Sequence, residues 1–433
     1  MKTLAALAAA ALLLGAAPPP GASPPGFPQA VAGSAGAVRV LTESDAGAQL
    51  TGLELFVGAG LNRQTAATGG VAALAAECVL RTPVDGVPLR DAIVAGGGSL
   101  QYRVEVRSTQ FYLEGLAEDA PALTRLLGRA LAAPDFSPAA VAAARAQLGA
   151  RAEDNENNAL ATGIEMFRRA YYQGAAGLPT FGTRASLANV AAADVAAFFK
   201  ENYRRGAVSL SAVGQIVPQL AGAEADLVAT LPEGAPAPLT PKVAAIPAEP
   251  PRIVARRDVG APVVVVGFAA ADPGSQDFGA MLVLEALLST AFARPTTTSL
   301  GLRDRSFGAS YSYDAEPANL IFYVNGNRTD PSLAIRALAL VAGSLAKRPL
   351  APALLDHYKS IAIGNFLSEN VTLSDRAFVL GTFGAAGFGS DPINAALAAL
   401  RKATPADVQR AAKRYLQHYI VALVLPRQAS AGS

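Results

Sequence analysis

Few side chains in this 433-residue chain can hold a metal or act as a nucleophile: two histidines, His357 and His418, one cysteine, Cys78, and scattered carboxylates. Asp356 precedes His357, but no G-x-S-x-G elbow accompanies the pair to make a triad. Each histidine lies in a helix-like segment beside a tyrosine, where a packing or surface role fits. Glu77 and Cys78 are adjacent in an apolar helical run, and neighbours on a helix point about 100° apart, so they converge poorly on one ion. A single Cys there reads as a small core residue. The run Glu153-Asp154-Asn155-Glu156-Asn157-Asn158 lacks the alternating ligands and central glycine of a calcium loop and reads as a solvated helix junction. Gly384, Gly387 and Gly389 read as a turn, since no lysine follows in the context a phosphate loop requires. Leu302-Arg303-Asp304-Arg305 and Tyr311-Ser312-Tyr313 carry guanidinium and phenol groups. A guanidinium and a phenol can both donate to an oxygen that gains negative charge, and one such donor is worth about 3 kcal/mol. The same residues also suit a helix end and one side of a strand.

These groups must be positioned by a chain that is about half apolar, poor in aromatics and long enough for two ordinary domains. Lys and Arg are scattered and the formal net charge is +2, so nothing points to nucleic acid. Met1-Lys2-Thr3, the apolar run from Leu4 to Ala17 and the small-residue exit to Ser23 have the pattern of a secretory signal over residues 1–23. The expectation is a periplasmic or secreted protein, free of the membrane once the signal is cleaved; an uncleaved anchor is the other reading of that run. A single cysteine excludes an internal disulfide. Prolines from Pro232 to Pro251 forbid helix and predict a stiff extended linker, residues 232–251, between halves at 27–231 and 252–427. The halves echo each other: at one constant offset Leu53, Leu55 and Val57 match Val266, Phe268 and Ala270, and Asp194-Val195 matches Asp407-Val408. Mixed strands and helices in each half predict an α+β fold, an antiparallel-rich sheet with helices on one face in each half.

The segment Gly58-Ala59-Gly60-Leu61-Asn62-Arg63-Gln64, followed by Thr68 to Leu80, resembles the opening of the pitrilysin/insulinase family of zinc metallopeptidases, the inverzincins, whose helix carries H-x-x-E-H. In that register the two histidines fall on Ala73 and Glu77 and the catalytic glutamate on Ala76. Aligning Phe136-Ser137-Pro138 puts the third zinc ligand at Ala150 or Arg151. Two imidazoles four residues apart would grip one zinc while the carboxylate takes a proton from its water; methyl groups do neither. The resemblance extends through Gly96-Gly97-Gly98 into a strand with Gln101 and Tyr102, similar to the family's substrate-pairing edge strand, and through Leu178 to Thr183 and Phe198 to Tyr203. It implies two homologous peptidase-like sandwich halves closed as a clamshell. It also implies that Arg303 and Tyr311 would bind the substrate carbonyl, with Arg305 as the alternative because Arg303 is one residue too far from Tyr311 for the family spacing. Vacant zinc positions beside this pair imply a chain without its own cofactor, inactive alone, that lends substrate-holding groups to a homologous zinc-bearing subunit acting on peptides. A peptide-binding or scaffold protein of the same fold is the alternative.

Overall fold

The computed structural model describes residues 27–239, 241–291, 306–313, 317–326, 330–386 and 388–427; the signal-like leader, Arg303, Arg305 and Gly387 lie outside them. The first half runs β1 (Ala30–Ala35), β2 (Val38–Ser44), β3 (Leu50–Val57), α1 (Val71–Arg81), a short ribbon β4 (Pro83–Val84) and β5 (Val87–Pro88), α2 (Leu89–Ala95), β6 (Ser99–Val104) and β7 (Thr109–Leu116). It continues through α3 (Ala120–Ala132), α4 (Pro138–Asn157), α5 (Ala159–Tyr171), α6 (Arg184–Asn189), α7 (Ala192–Asn202), β8 (Val208–Gly214) and α8 (Gln219–Thr230). The second half runs β9 (Arg252–Arg257), β10 (Val263–Ala269), α9 (Phe278–Ala291), β11 (Ser306–Ser312), β12 (Asn319–Asn325) and α10 (Pro331–Lys347). Then come α11 (Pro352–Ser368), α12 (Leu373–Ala385), α13 (Pro392–Lys402), α14 (Pro405–Tyr415) and β13 (Tyr419–Pro426).

Local chemistry sets many of these bounds. Ser137 caps α4 ahead of Pro138, Asn158 accepts from Leu160 and Ala161 to start α5, and Thr404 with Asp407 forms a capping box before α14. The duplication read from the sequence holds at the level of topology. The first sheet has the order β1-β2-β8-β3-β7-β6 and the second β11-β12-β10-β13-β9; matched strand for strand, they are the same sheet, with β1 added at one edge. In each, one pair is parallel, β2 with β8 and β13 with β9, and every other pair is antiparallel.

Each sheet packs one face on its own half's helices, as expected; the other face is covered from across the molecule. Helix α5 lies on β10 and β13 of the second sheet, and its counterpart α12 lies on β3 and β8 of the first. Small residues make these crossings close. A Cβ on Gly267 would stand 2.2 Å from the Phe167 ring, and one on Gly163 would stand 2.8 Å from Val265. Phe167 and Tyr171 join Val263, Val265, Ile420, Ala422 and Val424 in a shared core. Across the other crossing the contacts are more polar: Ser211 Oγ donates to the Ala377 carbonyl at 2.6 Å, Arg39 Nη1 donates to that of Gly384 at 2.7 Å, and Arg376 pairs with buried Glu43 at 2.9 Å. Gly384, expected in a turn, lies in the last turn of α12, and Leu41 closes to 2.4 Å of where its Cβ would be, so its part is to let the helix approach the sheet.

From residue 231 to 251 the described chain has no helix or strand beyond one bridge, Tyr172 with Val243, flanked by hydrogen bonds from Gln173 to Lys242 and from Ala244 to Tyr171. Among the described residues no helix is long and apolar enough to cross a membrane.

Candidate functional site

Helix α1 starts where the resemblance places it. Gly70 enters with φ of 95°, and a Cβ there would meet Leu187 at 2.8 Å, so glycine is required. Gln64 Oε1 accepts from the Gly70 and Ala72 amides at 2.9 and 3.2 Å, satisfying two donors the helix start leaves open. Ala73, Ala76 and Glu77 are wholly buried, with α1 packed against α4 and α7. Glu77, where a metal-binding imidazole would stand, is held by cations: Oε1 accepts from Arg81 Nε at 2.9 Å and Oε2 lies 3.4 Å from Arg90 Nη2. Arg81 also donates to Gln147 of α4 at 3.0 Å.

The third-ligand position is resolved by α4. Ala150 is exposed and points away, which corrects its assignment to the vacant site: one residue on a helix is a 100° turn, and it is Arg151 that faces inward. Arg151 Nη1 donates to the Tyr102 hydroxyl at 3.1 Å, and its guanidinium lies over the Tyr102 and Phe181 rings at 5.4 and 5.6 Å. Burial, and then the charge of Glu77, hold the Tyr102 phenol well above its usual range. Two guanidiniums therefore hold one carboxylate, and a third lies on Tyr102, where the family resemblance would put a divalent cation and its ligands. These residues do not fit zinc: the neutral and anionic donors are replaced by methyls and positive charge. Among the described residues no three His, Cys, Asp or Glu side chains converge as a metal site. Cys78 is buried and its thiol is pushed up to about 12, chiefly by burial. Glu153 pairs outward with Arg184 at 3.3 Å, and His357 and His418 are exposed.

The second constellation is placed differently from expectation. Tyr311 is 4 % exposed, packs on Phe278 and Tyr313, and its hydroxyl donates to the Ala271 carbonyl. The phenol expected to face a substrate is thus in the second half's core, because strand alternation puts Phe307, Ala309 and Tyr311 on the helix-facing side. Its amide donates to Glu285 Oε1 at 2.8 Å, and burial raises that carboxyl to about 8. Strand β6, carrying Gln101 and Tyr102, is an edge of its sheet: it pairs with β7 alone. Gln101 is exposed, whereas Tyr102 turns in toward Arg151. Arg81 and Arg90 were not anticipated, although the i, i+4 spacing of Glu77 and Arg81 on one helix face signals the first pair.

No family model matches the sequence and no curated protein matches it. Solved structures do. A protease from Helicobacter pylori superposes with a TM-score of 0.81 at 14% identity, covering 92% of this chain and 100% of that one. A peptidase M16 inactive domain from Pseudomonas fluorescens gives 0.77 at 17% identity, covering 93% and 99%. A chain of complex III2 from Candida albicans gives 0.74 at 13% identity, covering 90% and 94%. The likeness is one of fold, and the fold is that of the M16-like peptidases.

Proposed function

We propose that this chain is a non-catalytic, M16-type peptidase homologue that acts beside a homologous zinc-bearing chain, offering it a peptide-contacting surface. The observation that carries the reading is that Ala73 and Ala76 offer no ligand atoms, while Glu77 is paired with Arg81 and Arg90, and Arg151 stands beside them on Tyr102. The inactive domain from Pseudomonas fluorescens supports it, since that protein has the same fold and is described as inactive. The free edge of β6 is the proposed seat for an extended peptide, held by backbone pairing. Arg303 is the proposed cation lent to the substrate in trans. Zinc and the general base would belong to the partner, and the leader-like first 23 residues support an exported pair.

The test is to purify the chain from its native source, identify the bound homologue, and measure zinc content and peptide cleavage for each chain alone and for the pair. The chain alone is expected to carry no stoichiometric zinc and to cleave nothing. Chelator-sensitive turnover by the lone chain would overturn the proposal. In the pair, Arg303→Gln should lower kcat/KM. A second reading, a scaffold without any part in hydrolysis, is favoured by the burial of Tyr311 and by the likeness to a complex III2 chain. It predicts that Arg303→Gln leaves turnover unchanged.

A further inference from the structure

The seam between the halves encloses a cavity of about 330 Å³, lined from three sides. The first half contributes Phe56, Arg63 and Arg107, the inter-half segment contributes Pro236, Pro238 and Leu239, and the second half contributes Tyr313 and Thr382 among others. No acid is among the lining residues, which include two arginines, Arg63 and Arg107. Glu201 partly offsets Arg63 and Asp272 partly offsets Arg107, but neither lines the cavity. Two polar atoms here are buried without a hydrogen-bond partner: Arg63 Nε and Thr382 Oγ1, the latter on a residue 8% exposed. Buried donors left unsatisfied cost roughly 1–3 kcal/mol each, which a bound acceptor recovers.

We propose that this seam cavity binds a small organic carboxylate with an apolar body, such as the free C-terminus of a short peptide. A guanidinium recognises a carboxylate through paired N–H donors, and partial burial strengthens the contact. Burial lowers the pKa of both arginines, in keeping with groups that have lost water. The aromatic and proline-lined wall distinguishes such a ligand from inorganic phosphate, which would leave that wall uncovered. The volume lies at the small end of ligand sites, about 300–1,000 Å³. This inference stands apart from the reading of the α1 site, which shares none of these residues.

The experiment is calorimetric titration of the full chain with N-acetyl-Leu-Leu, its C-terminal amide and inorganic phosphate, repeated on Arg63→Gln and Ala235→Phe. Ala235 is an exposed lining residue, so a larger side chain there fills the mouth while the unliganded melting temperature stays unchanged. Saturable binding of the acid is expected, at least about tenfold weaker for the amide, for phosphate and for both variants. The acid should also raise the melting temperature, because it grips both halves. Equal affinity for acid and amide, wild-type binding by Ala235→Phe, phosphate binding as tight as the dipeptide's, or no saturable heat at about 10 mM probe would each overturn the proposal.

Discussion

At the scale of single residues, the vacant metal position is a built arrangement of charge. Restoring zinc therefore requires both adding ligands and removing Arg151. The variant carrying Ala73→His, Ala76→Glu, Glu77→His and Arg151→Glu is expected to bind close to one zinc per chain, measured by atomic emission after gel filtration. The same variant with Arg151 retained should bind none, because a guanidinium then occupies the third-ligand position. Tyr311→Phe is expected to lower stability by about 1 kcal/mol in urea unfolding, the worth of a buried hydroxyl bond, with peptide binding unchanged. Much of α1 was legible, since Ala73, Ala76 and Glu77 stand in sequence where the ligands would be. The inward turn of Arg151 over Ala150 was not, because alignment on Phe136-Ser137-Pro138 leaves a one-residue ambiguity that only the packed helix resolves. Tyr311 was misread for a related reason: its alternation with Phe307 and Ala309 marks a buried face, but the motif drew attention to its hydroxyl.

At the scale of elements, the crossing of α12 over the first sheet is rich in carboxyls. Gly52, Glu54 and Phe56 share the face beneath it: Gly52 approaches Leu373, and Phe56 approaches Gly381. Burial raises Glu54 to about 8 against the opposing pull of Arg103, and raises Glu43 to about 7 against Arg376. A carboxyl raised on folding binds its proton more tightly in the folded state. Its contribution to stability is therefore greatest below the unfolded value near 4.5 and is lost as pH climbs through the folded value. Unfolding free energy should fall between about pH 5 and 8, by at most about 1.4 kcal/mol per pH unit for each group. Glu54→Gln is expected to flatten that slope, read as melting temperature across a pH series; a slope identical to wild type would exclude Glu54 as its source. An amphipathic pattern in Leu373–Ala385 announces a helix, but nothing in it names the sheet it will cover, so this exchange was beyond sequence reading.

At the scale of the whole molecule, two equivalent halves complete each other. The repeat was legible because strand and helix positions recur at one offset, and the sheets bear this out strand for strand. The mutual covering was not, since it depends on contacts between residues more than half a domain apart. Fragments 27–231 and 252–427 made separately are expected to expose the sheet faces that α12 and α5 cover, to bind a hydrophobic dye and to lack a cooperative melt. The intact chain should melt in one transition. Two independent melts would show instead that each half is self-sufficient.

The exchanged helices also set a timetable for synthesis. When β8 has left the ribosome, every strand of the first sheet exists, yet one of its faces stays bare until Ala385 at the end of α12 has been added. At about 5–20 residues per second that delay is roughly ten to thirty seconds. Throughout it the nascent chain must be shielded by a chaperone or kept from committing its first half too early.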